Sequence, residues 1–214
     1  MPTTVSGTAF FPGGSGLWRE GGTTPDPRGG VLFLANDLEA QTEYQGLVDR
    51  GKEDLHDPVW RNLLHLMELA DLRPEQCFFT CYFMGIRAED RRSGPYPGAA
   101  DPGYVSRCGH FLMRQLAEIR PRAIFTLGSY VPGLLGPLSP QLTNWSGIRG
   151  LTRLDAESSP LVHQAHFPEA GVTANVAALT HPSLHKADVH RRVYRDTTGH
   201  SAEVLLMLDA LAAS

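Results

Sequence analysis

Residues 31–46 read VLFLANDLEAQTEYQG. An apolar run ends in Asn36-Asp37, with Glu39 and Glu43 close behind. A carboxylate and an amide side by side can hold a water molecule and stabilise a developing cation. The tips of parallel strands are where α/β proteins gather such groups, although Asn and Asp also cap helices and form turns. A second reactive stretch, THPSLHKADVHRRVYR, spans 180–195. There His181 leads a Pro-Ser turn into Leu184, and Lys186, Arg191, Arg192 and Arg195 crowd around the same loop. An imidazole can stabilise an anion, and clustered cations can grip phosphates.

Both stretches need elements that bring them to one place. VLFLAN (31–36), QCFFTCYFM (76–84), AIFTLG (123–128), LVHQAHF (161–167) and NVAALTH (175–181) read as buried strands, short and rich in β-branched and aromatic residues. PVWRNLLHLMELADL (58–72) repeats apolar residues at helical spacing behind Asp57-Pro58, a cap and a first-turn proline. YVSRCGHFLMRQLAEI (104–119), a short stretch near YVPGLLG and SAEVLLMLDALAA supply further helices. Strands alternating with helices imply an α/β fold, a three-layer α/β/α arrangement around a mostly parallel sheet. Residues 1–30 are a Gly/Pro-rich irregular lead-in that Phe10, Phe11 and Trp18 would pin down; 31–214 form one domain.

The 214 residues are 42% hydrophobic, enough for one core of this kind. With 19 basic and 23 acidic residues the net charge is -4, so any nucleic-acid surface must be local rather than global. Cys77, Cys81 and Cys108 form no CxxC pair and no even framework, which points to a reducing cytosol. No signal-peptide pattern opens the chain, and no apolar run approaches the ~18 residues of a membrane span. A cytoplasmic, soluble monomer is expected.

In ordered blocks the chain resembles the uracil-DNA glycosylase superfamily, and most closely its bacterial and archaeal branch whose first motif is GEAPG. ANDLEAQTEYQGLVDRG matches that motif region without a gap. RCGHFLMRQLAEIRPRAIFTLGSYVPGLLG is similar to the branch's central helix and strand, and LTHPSL to its second motif, a strand ending in HPS or HPA. The resemblance covers about residues 30–195. It implies a uracil-DNA glycosylase-like fold in which Asp37 activates water, Asn36 helps place it and His181 stabilises the departing base. It also implies that Ser183 contacts a phosphate and that Leu184 wedges into the base stack, with Lys186, Arg191 and Arg192 binding DNA.

Departures from the family are equally specific. The uracil-stacking Phe aligns with Asp49 and the base-reading Asn with Cys81. Glu39 stands near the pyrimidine C5 position, and Tyr44 completes the expected substrate-binding set. The branch's iron–sulfur cluster takes four cysteines; only Cys108 matches, with Gly85 at another ligand position, so no cluster is expected. A polar pocket without its aromatic wall suits a pyrimidine with a hydroxylated C5 substituent, because sites built for such hydrogen bonds reject analogues lacking them. The expectation is a cofactor-free, metal-free DNA glycosylase acting on a flipped modified pyrimidine other than plain uracil, with glucosylated hydroxymethylcytosine of phage DNA as the candidate, in defence. No lysine stands at either tip for a Schiff base, so base removal alone is expected. The alternatives are a non-catalytic binder of altered or abasic DNA, or a uracil repair enzyme with rearranged readers. His181, His185 and His190 lack the spacing of a helical metal pair, His163 and His166 should face opposite sides of a strand, and no G-x-S-x-G, G-x-G-x-x-G or Walker loop occurs.

Overall fold

A computed structural model describes residues 10, 26, 28–38, 40–88, 94–184 and 188–212. Five strands form one sheet: β1 (Val31–Ala35), β2 (Cys77–Cys81), β3 (Ala123–Leu127), β4 (Leu161–Phe167) and β5 (Val172–Leu179), in the order β2-β1-β3-β5-β4. β2, β1, β3 and β5 run parallel, and β4 pairs antiparallel with β5 at the edge. Helices α1 (Gln41–Arg50), α2 (Pro58–Leu69), α3 (Pro102–Ile119), α4 (Val131–Leu135), α5 (Leu151–Glu157) and α6 (Gly199–Ala212) surround it, and β6 (Val193–Tyr194) pairs with β7 (Thr197–Thr198) as a small ribbon. This is the α/β/α layering that the alternating pattern anticipates.

Layering follows from the alternation of side chains along each strand. Val31, Phe33, Phe79, Phe125 and Leu127 face α2 and α6, meeting Trp60, Leu63, Met67, Leu206 and Met207. Leu32, Leu34, Ile124, Val176 and Ala178 face α3, meeting Cys108, Leu112, Met113 and Leu116. β1 lies between β2 and β3 and all five of its residues are buried, as a parallel strand covered on both faces must be. Phe33 stacks on Phe79 with ring centres 5.4 Å apart and lies 5.3 Å from Phe125; truncating one such ring to alanine costs about 3–5 kcal/mol.

Helix starts follow their caps. Asp57 accepts from Val59 N at 2.7 Å ahead of Pro58, and Asp101 accepts from Gly103 N at 2.8 Å ahead of Pro102, so α3 begins two residues before the apolar pattern does. Phe10 packs on Trp60 and Phe79 at 5.4 and 5.3 Å; Phe11, Trp18 and most of the lead-in lie outside the described residues. One expectation fails on β4. A bulge between Val162 and Ala165, with Gln164 at φ 52°, breaks the strand alternation, and both His163 and His166 are exposed. Among the described residues no helix is long and apolar enough to cross a membrane.

Candidate active site

The sheet order sets a switch point beside β1. From β1 the chain crosses to β2 on one side, and β3 lies on the other, so the tips of β1 and β3 flank the point at which the winding reverses. Asn36-Asp37 leaves β1 there. His181 leaves β5, on the far side of β3, two strand spacings or about 10 Å away along the same edge. Asp37 is close enough to act electrostatically on the His181 ring.

Asp37 is held on every side. Arg87 forms a two-pronged ion pair with it, Nε donating to Oδ1 at 2.8 Å and NH2 to Oδ2 at 2.7 Å. Asn36 Nδ2 donates to Oδ2 at 2.6 Å, and the Cys81 thiol donates to the Asp37 carbonyl at 3.2 Å. The side chains of Arg87 and Asp37 are only 6% and 8% exposed. Contact with the carboxylate outweighs burial and raises the Arg87 pKa further above its ordinary range. Arg87 sits where β2's parallel course continues past its end: Ala40 and Arg87 form an isolated parallel bridge, with Gln41 N donating to Arg87 O at 3.2 Å. Sequence reasoning missed this residue. The one signal that pointed to it was a lone cation six residues beyond a strand that neighbours an acid-tipped one.

His181 is half-buried. Ser183 N donates to its Nδ1 at 3.3 Å and the Ser183 hydroxyl lies 2.7 Å from the same atom, so Nδ1 is the acceptor and Nε2 carries the proton. Burial lowers its pKa, partly opposed by the charge of Asp37, and the ring is neutral at pH 7. Gly128, at φ +91°, closes the tip of β3 beneath it. A Cβ there would lie 3.3 Å from His181 Cβ and would be backbone-strained as well. Asn62 of α2 donates to Pro182 O at 2.8 Å and so fixes the turn that carries the histidine.

The remaining expected residues divide. Leu184 stands out of the turn, 49% exposed, and Arg191 is exposed beside Asp188. Tyr44 packs with Cys81 against Ala35 and Leu38, directly under the β1 tip. Glu39 and Lys186 lie outside the described residues. Ser183 is exposed, with its hydroxyl turned to the histidine ring. Asp49 is a correction: it lies on the exposed last turn of α1, accepting from Gln45 at 2.8 Å, about 12 Å along the helix axis from its start. Arg192 is another. Its side chain is 3% exposed and fully engaged, with Asp155 at 2.9 and 3.1 Å, Glu203 at 2.6 Å and Ala178 O at 2.8 Å, so it cannot reach a phosphate.

The positions aligned with iron–sulfur ligands do not fit such a cluster. Gly85 carries no ligating atom, and the Tyr96 and Tyr104 hydroxyls occupy the space where a side chain would begin. Among the described residues no group of three His, Cys, Asp or Glu side chains could hold a metal ion. A cavity of about 580 Å³ lies along α2, lined by Leu55, Arg61, Leu64 and His65 among others, and shares no residue with the strand tips. Compared with known proteins, the chain matches no family model and no curated sequence. The geometry of the strand tips therefore carries the functional argument.

Proposed function

We propose that this chain is a monofunctional DNA glycosylase that hydrolyses the N-glycosidic bond of a flipped, modified pyrimidine and leaves an abasic site. The observation that carries the reading is the gathering of Asn36-Asp37 and the His181–Leu184 turn on one sheet edge, either side of β3. The C1′–N bond breaks with its electron pair leaving on the base, and the Nε2–H of neutral His181 is the donor for that anion. Preorganised donors of this kind contribute about 3–4 kcal/mol. Water then adds to the sugar cation, and its proton passes to solvent. A sugar cation is so electrophilic that the water needs orientation more than deprotonation, which suits a carboxylate already paired with Arg87. Leu184, half out of the surface, is shaped to enter the base stack, where unstacking costs a few kcal/mol per step.

The preferred substrate is a pyrimidine with a bulky hydroxylated C5 group, glucosylated hydroxymethylcytosine of phage DNA being the first choice, in a defensive role. Support comes from the place where the base-reading Asn would stand: Cys81 is a buried thiol that donates to the Asp37 carbonyl and offers no amide to uracil. The test is to incubate the protein and Asp37→Ala with uracil DNA, hydroxymethylcytosine DNA and glucosylated phage DNA, then reveal abasic sites with alkali. Asp37-dependent breaks in glucosylated DNA alone support the reading. Equal excision of plain uracil makes it a repair enzyme instead.

A second reading, a non-catalytic binder of altered or abasic DNA, is favoured by the Arg87 pair, which neutralises the charge that would face the sugar cation. A binder gives no breaks on any substrate and keeps its DNA affinity in Asp37→Ala.

A further inference from the structure

We propose that Arg87 is the positioning residue of this site: it fixes Asp37 and, through Asp37, sets the direction in which Asn36 presents its side-chain oxygen. The inference rests on the glycosylase reading only for the identity of the molecule that Asn36 meets.

The chain of contacts runs in one direction. The Arg87 fork takes both oxygens of Asp37, at 2.8 and 2.7 Å, a planar match that a lysine cannot reproduce. Its other bonds keep the fork where it is. NH2 donates to Gly94 O at 2.9 Å, NH1 to Pro95 O at 3.4 Å, and the guanidinium lies 5.8 Å from the centre of the Tyr96 ring. An arginine tied in this way, with its own backbone bridged to Ala40, is a fixed strut and not a latch waiting to swing aside.

Asp37 passes the constraint on. A carboxylate only accepts hydrogen bonds, so the half of the Asn36 amide that faces Oδ2 at 2.6 Å must be the NH2. The amide oxygen is therefore turned away from Asp37. That oxygen is buried and has no hydrogen-bond partner among the described residues. An orphaned buried acceptor is costly and calls for a bound donor. At the tip of β1, the donor that fits is the O–H of a water or an N–H or O–H of the substrate. Asn36 touches the reacting molecule; Asp37 and Arg87 keep its oxygen aimed.

The test uses a readout that a merely structural ion pair would not move. In 15N-labelled protein, the Asn36 side-chain amide is identified by its loss in Asn36→Ser. In the wild type one of its protons is expected well downfield and slow to exchange; in Arg87→Gln the pair should collapse towards ordinary amide shifts. Arg87→Lys serves in its place should the glutamine variant not fold. Release of base from glucosylated phage DNA should fall roughly 100-fold in kcat with little change in KM, the cost of a misplaced group. In Arg87→Ala, added guanidinium should restore it where sodium chloride at equal ionic strength does not. An Asn36 amide unchanged in a folded Arg87 variant overturns the proposal, as does a loss confined to KM. If the wild type releases no base from any DNA, the glycosylase reading fails while the amide signal still decides the role of Arg87.

Discussion

Two arginines are buried with acids in this molecule, and they do opposite things. Arg192 joins Asp155 of α5, Glu203 of α6 and the carbonyl of Ala178 on β5. Glu203 also accepts from Thr180 N at 2.6 Å, and Asp155 from Val193 N at 3.1 Å. That cluster clamps both ends of the loop bearing His181 and Leu184. Among the described residues Arg87 pairs with Asp37 and with loop carbonyls, and the amide beside that acid keeps an acceptor unsatisfied. The first arrangement ties two helices to a strand, and the second stands at the tip of β1. Buried ion pairs are weak evidence of stabilisation, since apolar replacements often do as well; what each pair secures here is a position.

The sharpest way to break this comparison is to remove one charged side chain from each cluster. Asp37→Ala should lower base release by roughly 10²–10⁴-fold. It should also cost about 3–5 kcal/mol in stability, because a buried guanidinium loses its acid. Arg192→Met should cost a similar 3–5 kcal/mol, read by urea titration, yet leave the salt dependence of DNA binding unaltered. A shallower salt slope in that variant would return Arg192 to the phosphate-binding set.

His181→Ala should lower kcat by about 10²–10³-fold. The ring's pH behaviour sharpens the point. Burial lowers its folded-state pKa below the unfolded 6.5, so as pH falls below 6.5 the unfolded chain takes up a proton that the folded one refuses. The stability that a neutral His181 contributes is complete above pH 6.5 and is lost as pH falls towards the folded value. His181→Asn should remove that part of the acid sensitivity, seen as a flatter melting temperature below pH 6.5. Leu184→Ala should change stability by no more than about 0.5 kcal/mol, the leucine being half exposed, while slowing release from duplex more than from single-stranded DNA. Arg191→Gln should have the smallest effect, reducing the salt slope of DNA binding by about 1.

The core was legible because burial and period agree: VLFLA, CFFTC and AIFTL are continuous apolar runs, and the parallel sheet covers them on both sides. α1 was not legible. It buries no residue, so QTEYQGLVDR has no apolar stripe to read. The candidate site was half legible. Asn36, Asp37 and His181 announce themselves by following strands, whereas Arg87 and Arg192 depend on partners far along the chain, and no local pattern distinguishes a solvated arginine from a buried one. Arg192 was misread for that reason: among RRVYR its neighbours Arg191 and Arg195 are exposed while it alone turns inward. Asp49 was misread because an ungapped alignment ignores where a helix points its last turn.

The hydrogen bond from Asn62 to Pro182 joins groups 120 residues apart, whereas Arg87 and Asp37 are separated by 50. On a ribosome working at roughly 5–20 residues per second, about 6–24 s pass between the synthesis of the first pair of partners. In the later part of that interval, once Arg87 has been made, the strut of Arg87, Asp37 and Asn36 can assemble while the histidine turn does not yet exist. Only the insertion of β5 beside β3 brings the two halves to one edge. A growing chain therefore lacks one half of the edge until the last strand of the sheet has been made.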